Sequence, residues 1–170
     1  AQIFLLLAIT VDMFKVSGQA LVGHALGGRR HDEARDVVDH LYGWAWRMAI
    51  VLTVLTIVVS PLIPWGFTDD PDVVDAAVVA LVVLGCMQLP GAVTFVTDGI
   101  LMGANDFRNL RWSTTISFAV SLPVFVAVMV RPSLGILTVW LGVFVAILAR
   151  ALKNHTRVQG DQWMQSAEAV

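Results

Sequence analysis

Charge is the scarcest property of this chain. Of its 170 residues only 14% are Asp, Glu, Lys or Arg, against about 25% in ordinary globular domains, and the mean hydropathy is +0.75. The shortage is greatest where the apolar runs are longest. Ile50–Ile63 is interrupted only by two Thr, one Ser and Pro61, and Val73–Ile100 carries just Asp75, Gln88 and Asp98 as charged or amide side chains. A run of about 18 apolar residues already reads as a transmembrane helix, so a soluble domain is excluded. Cysteine is nearly absent too. Cys86 alone cannot close an internal disulfide, which rules out a disulfide-stapled scaffold, and it reads as a small apolar packing residue. Zinc-ligand spacing, a phosphate loop, a nucleophile elbow and a nucleic-acid patch are also missing. We therefore expect no enzyme activity, no cofactor and no nucleic-acid partner. No Met or basic segment precedes the first apolar run, so the chain reads as starting in mid-helix, as a piece of a longer one.

What is present fits an all-α, polytopic membrane helix bundle. Five spans are expected, at about 2–26, 42–63, 71–104, 110–130 and 134–151, within a unit covering 1–158 and followed by a polar tail at 159–170. Gly27 and Gly28 end the first span. Asp70 is a natural N-cap and Pro71 suits the first helical position of the third. The charged stretch His31–His40 is expected to form a separate short amphipathic helix. Arg29, Arg30, Arg35 and Arg47, then Arg108 and Arg111, then Arg150, Lys153 and Arg157 fall on one side if the spans alternate, whereas the other side has Arg131 and the acidic Thr68–Asp72. The positive-inside rule places the basic side and the C-terminus in the cytoplasm of a plasma-membrane protein. Trp44, Trp46, Trp65 and Trp112 then lie near interfaces.

The charges inside the spans are the candidate working parts. Asp98 precedes Arg108 by ten residues, roughly 15 Å along a helix, which predicts a position near the membrane midplane. A carboxylate there faces a bundle interior or a wet cavity. One that exchanges a proton, or trades it for Na⁺, can couple a gradient to a change of shape. Gly91, Thr94, Asp98 and Asn105 align as one polar face, expected to line a cavity. A structural carboxylate bonded to a neighbouring helix is the alternative. Asp12 and Lys15, at i and i+3, share a face with Gln19 and Gly23. They are either a self-neutralised pair or part of a relay, with Gln19 lining the cavity. Gly23 and Gly27 form one GxxxG motif, Gly99 and Gly103 another, and both suit close helix packing. Their similar placement hints at an internal repeat of helix pairs. Pro90 and Pro123 predict kinks in mid-span.

Three stretches together, "SGQALVGHALGGRRHDEAR" (Ser17–Arg35), "FTDDPDV" (Phe67–Val73) and "VTDGILMGANDFRN" (Val96–Asn109), resemble the multidrug and toxic compound extrusion family. The likeness is nearest to the bacterial branch named for the DNA-damage-inducible protein F. That resemblance implies helices eight to twelve of a twelve-helix transporter of two lobes in a bacterial inner membrane, with the N-terminal lobe missing. It implies exchange of H⁺ or Na⁺ for small amphipathic or cationic substrates, with Asp98 at the acidic position of the tenth helix, a Na⁺ site in some branches. Asp12 falls where relatives carry an acidic residue, and Lys15 stands where they have a small or apolar one. A lipid-linked saccharide flippase of the same superfamily would need a basic cavity ring, and only Lys15 is expected inside. A non-transporting membrane subunit is a further alternative.

Overall fold

A computed structural model describes residues 2–131, 133, 135–160 and 162–166. Leu134, the expected start of the fifth span, and 167–170 of the tail lie outside the described residues. The described chain is helical: α1 (Gln2–Gly27), α2 (His31–Val59), a 3-10 turn (Pro64–Gly66), α3 (Pro71–Gly103), α4 (Phe107–Val130), α5 (Gly135–Gln159) and α6 (Gln162–Ser166). Among the described residues, α2, α3, α4 and α5 are each long and apolar enough to cross a membrane.

Helix α3 is central. It packs against α1, α2 and α5, and α4 packs mainly on α5 with a smaller contact to α3. The seam between α1 and α3 is made by glycine. A Cβ at Gly99 would stand 2.3 Å from the Lys15 backbone oxygen, and one at Gly103 would stand 2.8 Å from that of Gln19. With no side chain in the way, the two backbones come into contact, which is the main source of helix association where lipid already solvates apolar surface. Gly23 faces Gly103 across the same seam at 3.4 Å, and Gly18 faces the Gly99 backbone at 3.5 Å. Gly27 takes no part, since a Cβ there would meet nothing within 4 Å. The close pair on α1 is thus Gly18 and Gly23, not Gly23 and Gly27, because Gly27 closes the helix beyond the crossing.

The two hairpin turns are copies of one another. After α1, Gly28, Arg29 and Arg30 donate backbone N–H bonds to His24, Leu26 and Ala25; after α3, Ala104, Asn105 and Asp106 donate to Ile100, Met102 and Leu101. In both, a 6→1 bond and a residue in the left-handed region, Arg29 or Asn105 at φ 56°, close the helix in a Schellman-like turn. Residues 23–31 thereby correspond to 99–107. Asn105 is the left-handed residue of its turn and is exposed, so it does not line a cavity: the helix that would have carried it round to the polar face ends at Gly103.

Three expected boundaries change. The stretch His31–His40 is not a separate helix but the first part of α2. Ala34, Val38, Leu41, Ala45 and Ala49 are all buried and follow one stripe at spacings of three and four, with no Gly or Pro between His40 and Tyr42 to break it. The same helix stops at Val59, before Pro61. Helix α5 continues to Gln159, eight residues beyond the expected end. The tail also contributes to the core. Trp163 is 2% exposed, belongs to the same buried cluster as Val22, Leu26 and Val158, and its Nε1 donates to the Val158 carbonyl at 3.0 Å. Helices α3 and α4 run unbroken through Pro90 and Pro123.

Candidate functional site

Asp98 is buried, 7% exposed, on the α3 face turned to α5. Its position along the helix differs from the sequence estimate. Helix α3 ends at Gly103 and a turn separates it from Arg108, so Asp98 lies five residues, about 7.5 Å, from the basic end of its own helix and not at mid-span.

Its partner comes from α5. Arg150 approaches with Nη2 2.9 Å from Oδ2, and its Nε donates to Oδ1 at 3.2 Å. Such a two-point guanidinium–carboxylate contact is the strong, orienting kind. Asn154 donates from Nδ2 to the same Oδ1 at 2.7 Å, and its own Oδ1 accepts from Asn109 Nδ2 on α4 at 3.4 Å. One chain of polar contacts therefore runs from α3 through α5 to α4. Ser117 on α4 donates to the Ala146 carbonyl on α5, and Thr94 on α3 donates to the Ile147 carbonyl at 3.3 Å. Among the described residues no buried side-chain nitrogen or oxygen is left without a partner.

Beside this network is a cavity of about 420 Å³. Lys15, Asp98 and Arg150 bring charge to it, Gln88, Thr94 and Ser117 bring polarity, and Met87, Phe95 and Ile147 make it greasy; Gly91 opens its wall. Of the residues expected to line a cavity, Gly91 and Thr94 do. Gln19 does not: it is exposed on α1, and its backbone oxygen, not its side chain, faces α3 at Gly103. Asp12 also stays outside the cavity lining and pairs with Lys15 at 3.6 Å, its side chain 45% exposed. An exposed pair of this kind stabilises little. Lys15 is not alone in the cavity, because Arg150 lines it as well; but that second cation is already engaged by Asp98.

Arg150, Asn154 and Asn109 were not singled out from the sequence. Arg150 was read only as a topological charge, since the fifth span was expected to end at Ala151. The signal was there in the spacing: Arg150, Asn154 and Arg157 stand at i, i+4 and i+7 on a helix that continues to Gln159.

The donor set also bears on Na⁺. Hard cations take several oxygen ligands. Both Asp98 oxygens face N–H donors, and a guanidinium occupies the place of the cation. Among the described residues no three His, Cys, Asp or Glu are grouped to hold a metal. The arrangement does not fit Na⁺ at Asp98.

Residues 1–129 match the family model MatE. The chain is 24% identical over 91% of its length to multidrug and toxin extrusion protein 2 of Mus musculus, and 25% identical over 86% to multidrug and toxin extrusion protein 1 of Homo sapiens. It is 24% identical over 88% to the multidrug resistance protein MdtK of Edwardsiella ictaluri. It spans about a quarter to a third of the length of these curated relatives, 27%, 26% and 33% respectively. They do not single out the narrower bacterial branch suggested by the motifs.

Proposed function

Because the chain belongs to the MatE family, we propose that it forms most of the C-terminal lobe of a secondary multidrug efflux antiporter, completed by an N-terminal lobe. The observation that carries the reading is the buried Asp98, tied across α3, α5 and α4 and set at the wall of a cavity that is part greasy and part polar. The whole transporter exchanges H⁺ for amphipathic organic compounds, including cationic ones. A mainly apolar site with a few convergent polar groups suits such compounds, and Asp98 is the carboxylate at its wall.

The coupling runs through the ion pair. With Asp98 ionised, Arg150 is held and α5 stays locked to α3. A proton on Asp98 removes the charge that holds the guanidinium and puts an O–H on a carboxyl whose two oxygens both face N–H donors, so the two-point contact weakens. The α4–α5 pair can then move against α3, and the cavity changes shape. Loss of the proton restores the lock. Proton coupling is favoured over Na⁺ because the cation place at Asp98 is filled by Arg150.

The test is efflux of a cationic dye from proteoliposomes holding the two-lobed transporter, driven by a pH gradient without Na⁺. Asp98→Asn should abolish gradient-driven efflux while leaving dye binding measurable. Unchanged efflux in that variant refutes the coupling role, and a strict Na⁺ requirement in the wild type refutes the choice of ion. A lipid-linked saccharide flippase is disfavoured, because its pyrophosphate needs free cavity cations and Arg150 is paired.

A further inference from the structure

A second cavity lies at the basic end of the bundle; it shares no lining residue with the first and meets the Asp98 network only at its far end, Asn109. It has about 400 Å³ and is formed between α4 and α5. On α4 its wall is Arg108, Trp112 and Ile116, at i, i+4 and i+8, so the three stand one above another on one helix face. On α5 it is Lys153 and Arg157, at i and i+4, with Asp106 at the floor. Three cations face one carboxylate there. That carboxylate is taken: Asp106 is 4% exposed and accepts from Arg157 Nε at 2.8 Å, while Arg157 Nη1 also bonds Gln162 Oε1. Arg157 and Asp106 therefore act as a frame. Among the described residues neither Arg108 nor Lys153 takes part in an ion pair, and both are exposed.

The vertical order of the α4 wall is informative. Arg108 to Trp112 is about 6 Å along the helix, and Arg108 to Ile116 about 12 Å. Each polar headgroup layer of a bilayer is about 5–8 Å deep. A cation at the headgroup level, an amphipathic indole at the boundary and an aliphatic side chain below it match the successive layers of one lipid molecule. Trp112 is 57% exposed and Ile116 37% exposed, so both are available to that molecule. A free phosphate would use the cations but would have no use for the Trp112–Ile116 stripe.

We infer that this pocket is a binding site for one anionic phospholipid. Arg108 and Lys153 hold the phosphate, Arg157 is a positioning residue fixed by Asp106, and Trp112 and Ile116 take the glycerol backbone and the start of an acyl chain. Basic pockets between spanning helices on the cytoplasmic side suit such headgroups. The site is distinct from the transport cavity, so its test does not depend on transport.

The experiment uses the full transporter, purified in detergent, with native mass spectrometry reading retained lipid. The probes are phosphatidylglycerol and phosphatidylcholine of the same chains. We expect phosphatidylglycerol to be preferred, and Arg108→Ala with Lys153→Ala to weaken it by about tenfold or more. The charge-keeping pair Arg108→Lys and Lys153→Arg should retain most of the binding, which separates lost charge from lost fold. Trp112→Ala should weaken both lipids. Arg47→Ala removes a cation elsewhere on the same side and should change nothing. Equal weakening by Arg47→Ala, or no preference between the two lipids, overturns the site. Displacement of the lipid by millimolar inorganic phosphate assigns the pocket to free phosphate and overturns the lipid.

Discussion

A single methyl group at Gly99 should separate α1 from α3. The Cβ of Gly99→Ala would lie 2.3 Å from the Lys15 oxygen and 2.8 Å from its Cα. Ordinary contact begins near 3.4 Å, so the shortfall to the oxygen is about 1 Å. The obstacle is backbone and cannot rotate away as a side chain could, so the helices must part or shift. Overpacking of a close seam costs about 1–3 kcal/mol, or more where nothing yields. Alanine returns about 1 kcal/mol of helix propensity over glycine in mid-helix. The net expectation is a loss of up to about 2 kcal/mol, and more where the backbone cannot yield. Gly43→Ala supplies the internal control: its site lies inside α2 and a Cβ there meets nothing within 4 Å, so only the propensity gain remains and stability should rise by up to about 1 kcal/mol. Reversible unfolding of the purified protein in mixed micelles, titrated with a denaturing detergent, measures both. Opposite signs for the two variants support the seam. A Gly99→Ala protein as stable as Gly43→Ala would show that α1 and α3 are not in backbone contact at Lys15.

Three further outcomes are expected from the same unfolding assay. Arg150→Leu leaves Asp98 buried without its cation and should cost about 3 kcal/mol, at the lower end for a broken buried pair because the Arg150 side chain is 30% exposed; adding Asp98→Asn should recover most of the loss. If the double variant is no better than Arg150→Leu alone, the cost is not one of unpaired charge. Trp163→Ala removes a side chain that is 2% exposed and should cost about 3–5 kcal/mol; a neutral result would mean that α6 is not docked. Arg29→Gly should stabilise by about 0.5–1 kcal/mol, since glycine enters the left-handed region without penalty, and Asn105→Gly by less, since asparagine tolerates it better; equal gains would refute the distinction.

The sequence revealed most where a local rule decides the structure. Helix α3 begins at Asp70 and Pro71 because an N-cap and a preset φ act within one turn, and Asp70 does accept from Asp72 N–H at 3.1 Å. Gly99 and Gly103 were legible as packing residues because a small-residue stripe has a recognisable spacing. Failure came where two elements compete for one boundary. Whether His31–His40 is its own helix depends on the stripe from Ala34 to Ala49 finding a partner in the core, which is a tertiary matter. The Asp98 site was half legible: the carboxylate stands out in an apolar run, but Arg150 and Asn154 are 52 and 56 residues away, and no local pattern joins them. Tryptophan in a polar tail likewise gives no hint that it is a plug. Apolar pattern shows that a residue can be buried, not which surface receives it.

Under the proposed coupling, α3 stands between a neighbour it holds by backbone contact and one it holds by an ion pair. Toward α1 its closest contact is backbone on backbone at Gly99 and Gly103, which has little freedom to rearrange by degrees, while Lys15 of α1 reaches the same cavity as Asp98. Toward α5 the contact beside the cavity is made by side chains: Arg150 and Asn154 on Asp98, and Thr94 on the Ile147 carbonyl. Gly99 follows Asp98 directly, so the residue that anchors α3 to α1 also fixes where the carboxylate points. Asp98 and Gly99 are about 100° apart around the helix, so the glycine seam toward α1 and the ion pair toward α5 lie on adjacent faces of α3. Under the proposed coupling, a proton on Asp98 would free α5, and with it α4, to which Asn109 and Ser117 tie α5, while the backbone contact of α1 with α3 would stay as it is.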